Sequence, residues 1–272
     1  MDKQKKLWFP GWDAIAPYLM VVYVLMLAVV GFFVSRVTEW NGITVAIMAA
    51  AALSYSFLYM VPGLLLTALV SVATVKAGEA AWRRRLVTGC AVGTMFLSHL
   101  LLLMDAGLYH GFGFHFKFLV WNLLTTPGGC ASMGLRAGTI LTLVGGIVLL
   151  LLVHAGIMAA FVWLPKLRVI AAVLKSWRKY ALAGLCLVCL LFSMFAYGYE
   201  HYMLRSTPLV ATATIPLFQG ATMSRFLSGL GVRPPNREVM QVKANAGKYK
   251  NLNYPAHPIE RSADRPKYNV VW

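Results

Sequence analysis

Acidic side chains are nearly missing from this sequence. Nine Asp and Glu residues stand against 25 Lys and Arg in 272 positions, and charged residues make up only 12% of the chain. A soluble globular domain carries about 25%. So few carboxylates leave general acid–base chemistry with hardly any candidates. No nucleophilic triad, Walker loop, dinucleotide fingerprint or paired-carboxylate motif appears either. Cysteine is equally scarce, and four thiols are too few for a disulfide framework. Cys90, Cys186 and Cys189 lie inside apolar runs, and Cys130 stands alone in a loop. Cys186-x-x-Cys189 has redox or metal spacing, but within "GLCLVCLL" the two thiols read as small buried hydrophobes. No metal site follows from them.

What the chain has in abundance is apolar length: 59% of its residues are hydrophobic. It reads as an all-α membrane protein, a five-transmembrane-helix bundle occupying residues 1–199. The spans fall at about 14–34, 43–75, 86–108, 138–164 and 180–199. The first, entered through "KKLWFPGW", is too long for a cleavable signal and lacks a cleavage site. The second exceeds the ~20 residues needed to cross a bilayer. Pro62-Gly63 interrupts it, giving either one kinked or tilted helix or a re-entrant pair.

Basic residues orient the bundle. Lys3, Lys5 and Lys6 precede the first span; Lys76, Arg83, Arg84 and Arg85 lie between the second and third. Lys166, Arg168, Lys175, Arg178 and Lys179 lie between the fourth and fifth. The other side carries only Arg36, Lys117 and Arg136. Twelve against three puts the N-terminus in the cytoplasm and the tail beyond Glu200 outside. This placement also accounts for the net charge of +16, and without a soluble basic module no nucleic-acid partner is expected.

Residues 200–265 read as an extracytoplasmic interfacial segment and linker. Met223, Phe226, Leu227 and Leu230 share a helical face with Arg225 directed away, which suits either a helix flat on the membrane or an ordinary loop helix. Residues 266–272, "PKYNVVW", read as a β-strand without a partner.

The densest polar cluster lies where the third span emerges: Asp105, Tyr109, His110, His115, Lys117 and Asn122. Three readings stay open. The cluster lines a groove for a lipid headgroup, with Lys117 or a charged His on phosphate. It binds a metal, although the spacing matches no closed zinc pattern. Or Asp105 caps nearby backbone and fixes where the loop turns. His99 and His154, each in an apolar run, read as satisfied core residues.

"MDAGLYHGFGFHFKFLVWNLLTTPGG", "LNYPAHPIE" and "PKYNVVW" together resemble the membrane portion of bacterial sulfatase-like membrane proteins of the alkaline phosphatase superfamily. These include lipoteichoic acid synthases, phosphoethanolamine and phosphoglycerol transferases, and an inner-membrane relative that binds cardiolipin and lipopolysaccharide. The resemblance implies five helices, an interfacial linker and an extracytoplasmic α/β domain whose first strand matches "NVVW". The divalent metal and the Thr, Ser or Cys nucleophile would then lie beyond Trp272, so the chain itself has no catalytic residue and no cofactor.

The expected function is the anchor and lipid-engaging domain of a sulfatase-like phospho- or sulfo-group transferase or hydrolase. It would act at the outer face of the bacterial cytoplasmic (inner) membrane, with phospholipid or lipopolysaccharide as partner. The alternative is a non-catalytic, lipid-sensing regulator that contacts other membrane proteins. A small transporter fits less well, since no inverted repeat is visible.

Overall fold

A computed structural model describes residues 11–78, 80–116, 121–122, 125–127, 129, 137–164 and 176–235. The regular elements among the described residues are all helical: α1 (Trp12–Val34), α2 (Gly42–Leu58), α3 (Val61–Ala73), a 3₁₀ turn (Val75–Ala77), α4 (Ala81–Phe112), α5 (Ala137–Trp163), α6 (Ser176–Tyr202), α7 (Ser206–Thr212) and α8 (Ser224–Gly229). Five stretches are long and apolar enough to cross a membrane: Trp12–Val34, Gly42–Ala73, Ala81–Phe112, Leu141–Trp163 and Ala181–Tyr202. They correspond one for one to the spans expected from sequence. The linker beyond Pro235 and the 266–272 strand lie outside the described residues, as do Lys3, Lys5, Lys6, Cys130, Arg136, Lys166, Arg168 and Lys175.

The second span is one broken helix rather than a re-entrant pair. Tyr59 and Met60, at the break, both keep right-handed helical backbone angles. The Leu64 N–H still reaches the Met60 carbonyl at 2.9 Å. Pro62 sits in the first turn of α3, where its missing N–H costs no helical bond. Gly63 lets α3 lie close on α4: a methyl added there would stand 2.5 Å from Met95 Cε and 3.1 Å from Thr94 Cβ.

The third span is longer at both ends than its apolar run. It starts at Ala81 because Arg83, fully buried, serves the α3–α4 connection. Its Nη2 donates to the Ser71 carbonyl at 2.8 Å, Nη1 to the Gly78 carbonyl at 2.7 Å and Nε to Thr74 Oγ1 at 3.1 Å. The guanidinium thus serves one carbonyl of the last turn of α3 and one just beyond the 3₁₀ turn. At the far end Gly113 adopts a left-handed conformation (φ 73°), and its N–H closes on the Tyr109 carbonyl at 3.0 Å.

α1 is the most buried span. Ile15, Tyr18, Val22, Met26, Val30 and Phe33 recur at helical spacing and pack with Val87, Ala91, Met95 and Leu102 of α4 in one core. α1 and α4 run in the same direction: Gly11 lies against Arg84 and Thr88 at one end, and Phe33 against Tyr109 at the other. α3 packs on α4, α5 on α1 and α4, and α6 on α2. A second, smaller core joins Met48, Ala51 and Tyr55 of α2 to Ala211 and Ile215, which follow the last span.

Candidate functional site

The end of α4 carries the polar cluster, and the glycine stop at Gly113 turns the chain so that His115 folds back on its own helix. Asp105 is 5% exposed. One of its oxygens accepts the Phe116 N–H, and the other lies 2.6 Å from His115 Nδ1. The imidazole stacks on Tyr109 (centroids 4.6 Å apart, planes 17° apart), and Phe33 borders both rings at 5.6 and 5.5 Å. Its other nitrogen, Nε2, faces the Ala213 carbonyl at 3.1 Å. A carboxylate and a carbonyl only accept, so both contacts are hydrogen bonds together only when the ring carries both N–H groups.

Ala213 belongs to a segment that returns to the bundle after the last span. Leu204, in the left-handed region at φ 56°, turns the chain. Arg205 braces this turn by donating to Glu200 Oε1 at 3.1 Å, while the buried Glu200 Oε2 makes no hydrogen bond. After α7 the segment is held at further points. Tyr59 donates its hydroxyl to the Pro216 carbonyl, and the Gln219 N–H donates to the Tyr55 hydroxyl at 3.1 Å. Phe218 stacks on Tyr55 with centroids 5.3 Å apart and lies 5.4 Å from Tyr197. Gly220 passes so close under the Tyr197 ring that a side chain there would overlap it.

Residues 55–261 match the family described as "Domain of unknown function (DUF3413)". The chain belongs to that family. The match covers 207 of 272 residues (261 − 55 + 1) and takes in Tyr55, Tyr59, Asp105, His115 and the returning segment. No curated protein matches the chain.

The expected groove residues divide within this DUF3413 region. Asp105, Tyr109 and His115 come together in the stack just described. His110 does not join them: its Nδ1 accepts from Arg36 Nη2 at 2.8 Å, and the guanidinium lies 4.7 Å over Phe32. Asn122 is exposed, and its backbone carbonyl accepts the Thr126 N–H at 3.0 Å. Lys117 lies outside the described residues. Of the open readings, the geometry of Asp105 and His115 is that of a capping network. Among the described residues no three His, Cys, Asp or Glu side chains gather where they could hold a metal ion.

The amphipathic segment is shorter than its sequence pattern. α8 spans six residues, with Met223 and Leu230 as its caps. Leu227 is buried, Phe226 and Leu230 are exposed, and Arg225 is exposed beside them. Phe226 rests edge-on against Phe195 at 6.3 Å. Cys186 and Cys189 are free thiols, Cys186 buried beside Tyr23 and the Leu53 carbonyl.

Sequence reasoning missed Tyr55 and Tyr59, and reads Arg36 only as a topology charge. Polar aromatics within an apolar run were the available signal for the two tyrosines. Their partners lie more than 150 residues away, so nothing local marks the contact.

Proposed function

We propose that this chain is a five-span membrane platform that holds the polypeptide following its last span in a defined orientation at the outer face of a bacterial cytoplasmic membrane, next to lipid headgroups. One observation carries the reading: the segment after the last span is pinned back on the bundle through Ala213, Pro216 and Gln219. A segment attached at three points passes on orientation as well as proximity, and proximity alone raises the effective concentration of whatever follows at the lipid surface. The excess of basic residues in alternate connections supports a cytoplasmic N-terminus.

The exposed Arg36–His110 pair beside Phe32 supports the headgroup groove, because a guanidinium suits phosphate. The exposed Phe226, Leu230 and Arg225 of the α8 region support contact with the membrane surface. On the resemblance noted above, the attached activity is that of a metal-dependent sulfatase-like transferase or hydrolase, to which this chain adds no catalytic residue.

Native mass spectrometry of the detergent-purified chain tests the lipid part. Anionic phospholipid or lipopolysaccharide should stay bound and be lost in a Lys117→Ala, His110→Ala variant. His115 is a poor choice for this purpose because both its nitrogens serve the fold. A bare protein mass under conditions that keep the helices folded would overturn lipid engagement. An assay for metal-dependent hydrolysis or transfer by the protein purified from its native membrane separates an enzyme's anchor from a lipid-sensing regulator.

A further inference from the structure

Tyr18 on α1, His99 on α4 and His154 on α5 are buried inside the bundle, and none takes part in the network at the end of α4. They form a line. Tyr18 Oη lies 2.8 Å from His154 Nδ1, and His154 Nε2 lies 3.1 Å from His99 Nδ1. Both nitrogens of His154 are therefore engaged, each by a side chain from a different helix.

Two proton arrangements satisfy this line without moving a ring. With hydrogen on Nε2, His154 donates to His99 and accepts from the Tyr18 hydroxyl. With hydrogen on Nδ1, it donates to Tyr18 and accepts from His99 Nδ1–H. An added proton from water gives His154 both hydrogens, and it then donates to Tyr18 Oη and to His99 Nδ1. The interhelical contacts survive, and only the Tyr18 hydroxyl hydrogen is turned aside. The groups facing the imidazole are Tyr18 from α1 and His99 and the edge of Phe96 from α4. The ion pairs among the described residues lie elsewhere, at Asp105–His115 and Glu200–Arg205. A proton taken up here is thus a full positive charge without an adjacent anion.

We propose that Tyr18, His154 and His99 form a proton-binding site in the bundle interior whose occupancy sets how firmly α5 is held against α1 and α4. α5 is the element that would respond, because it is the least buried span, whereas α1 is the most buried. Relaxing it exposes the fewest packed groups. Imidazole is the side chain suited to such a role. The proposal does not depend on the platform reading, since it concerns a different site and a different ligand.

The test uses the full chain in lipid nanodiscs with ¹⁵N-labelled histidine, titrated from about pH 8 down to about pH 4, a range that brackets the ordinary imidazole value. The His154 and His99 ring nitrogens should shift together as one proton binds. Amide hydrogen exchange in α5, corrected for the intrinsic rate, should rise several-fold over the same interval. His154→Gln offers one acceptor and one donor but does not titrate, so its α5 exchange should be flat with pH; His99→Gln serves if that variant misfolds. Ring nitrogens that stay neutral throughout, or equal pH dependence in wild type and variant, would overturn the proposal and leave the line as a fixed clip. Should neither variant fold, the wild-type nitrogen spectra decide alone.

Discussion

Replacing Asp105 distinguishes a capping network from a decorative polar cluster. In the wild type the carboxylate takes the Phe116 N–H and one nitrogen of His115, and both side chains are largely enclosed, at 8% and 12% exposure. Asp105→Ala leaves both donors without a partner. A hydrogen bond to a charged group contributes about 1.5–3 kcal/mol, so two at a site with some access to water amount to roughly 3–4 kcal/mol. Asp105→Asn behaves differently. Its amide oxygen still accepts from Phe116, and its NH₂ can donate to His115 Nδ1 if the ring hydrogen moves to Nε2. There it donates to the Ala213 carbonyl, so every group keeps a partner. The variant loses only the charge assistance, about half of each bond, or roughly 1–2 kcal/mol. Reversible unfolding in mixed micelles of increasing denaturing-detergent content, followed by circular dichroism, reads the two values. An Ala variant no worse than the Asn variant, or both equal to wild type, would show that Asp105 holds nothing.

Tyr59→Phe removes the hydroxyl that reaches the Pro216 carbonyl; the expected cost is about 1 kcal/mol, with faster amide exchange confined to residues 213–219 and unchanged helix content. Gly63→Ala brings a methyl against Thr94 and Met95, and the loss should be about 1–3 kcal/mol, as for other overpacked sites, whereas Gly145→Ala, with open space around it, should be neutral in the same unfolding assay. Arg83→Lys keeps the charge but cannot serve Ser71, Thr74 and Gly78 at once in the planar guanidinium's geometry; a loss of about 2 kcal/mol is expected, the size of one or two unsatisfied buried carbonyls, and wild-type stability would refute the bracing role.

The polar cluster was legible in sequence because an ionisable residue at the end of an apolar span stands out against its surroundings. Asp105, Tyr109 and His115 stand out on that ground, and the structure brings them together. His110 belongs with them by sequence, five positions from His115, yet it turns to Arg36 just past the end of α1. Nearness in sequence says little about direction at a helix end, where a single glycine reverses the chain. The eight-residue amphipathic pattern from Met223 to Leu230 was equally visible, but its helical core shrinks to six residues.

The sequence by itself determined the number of spans, their approximate ends and the chemistry available at each, because long apolar runs have few other stable homes and sparse charges mark where they stop. It left open which face of each span is inside. Lipid is as apolar as a protein core, so a lipid-facing Leu and a buried one carry the same signal, and helical periodicity fades. Only the tertiary structure decided that α1 sits at the centre, that residues 213–219 return to Tyr55, Tyr59 and His115, and that Tyr18, His154 and His99 meet. Those contacts join polar groups from 55 to 164 positions apart, and what selects them is the demand that polar groups removed from water find one another.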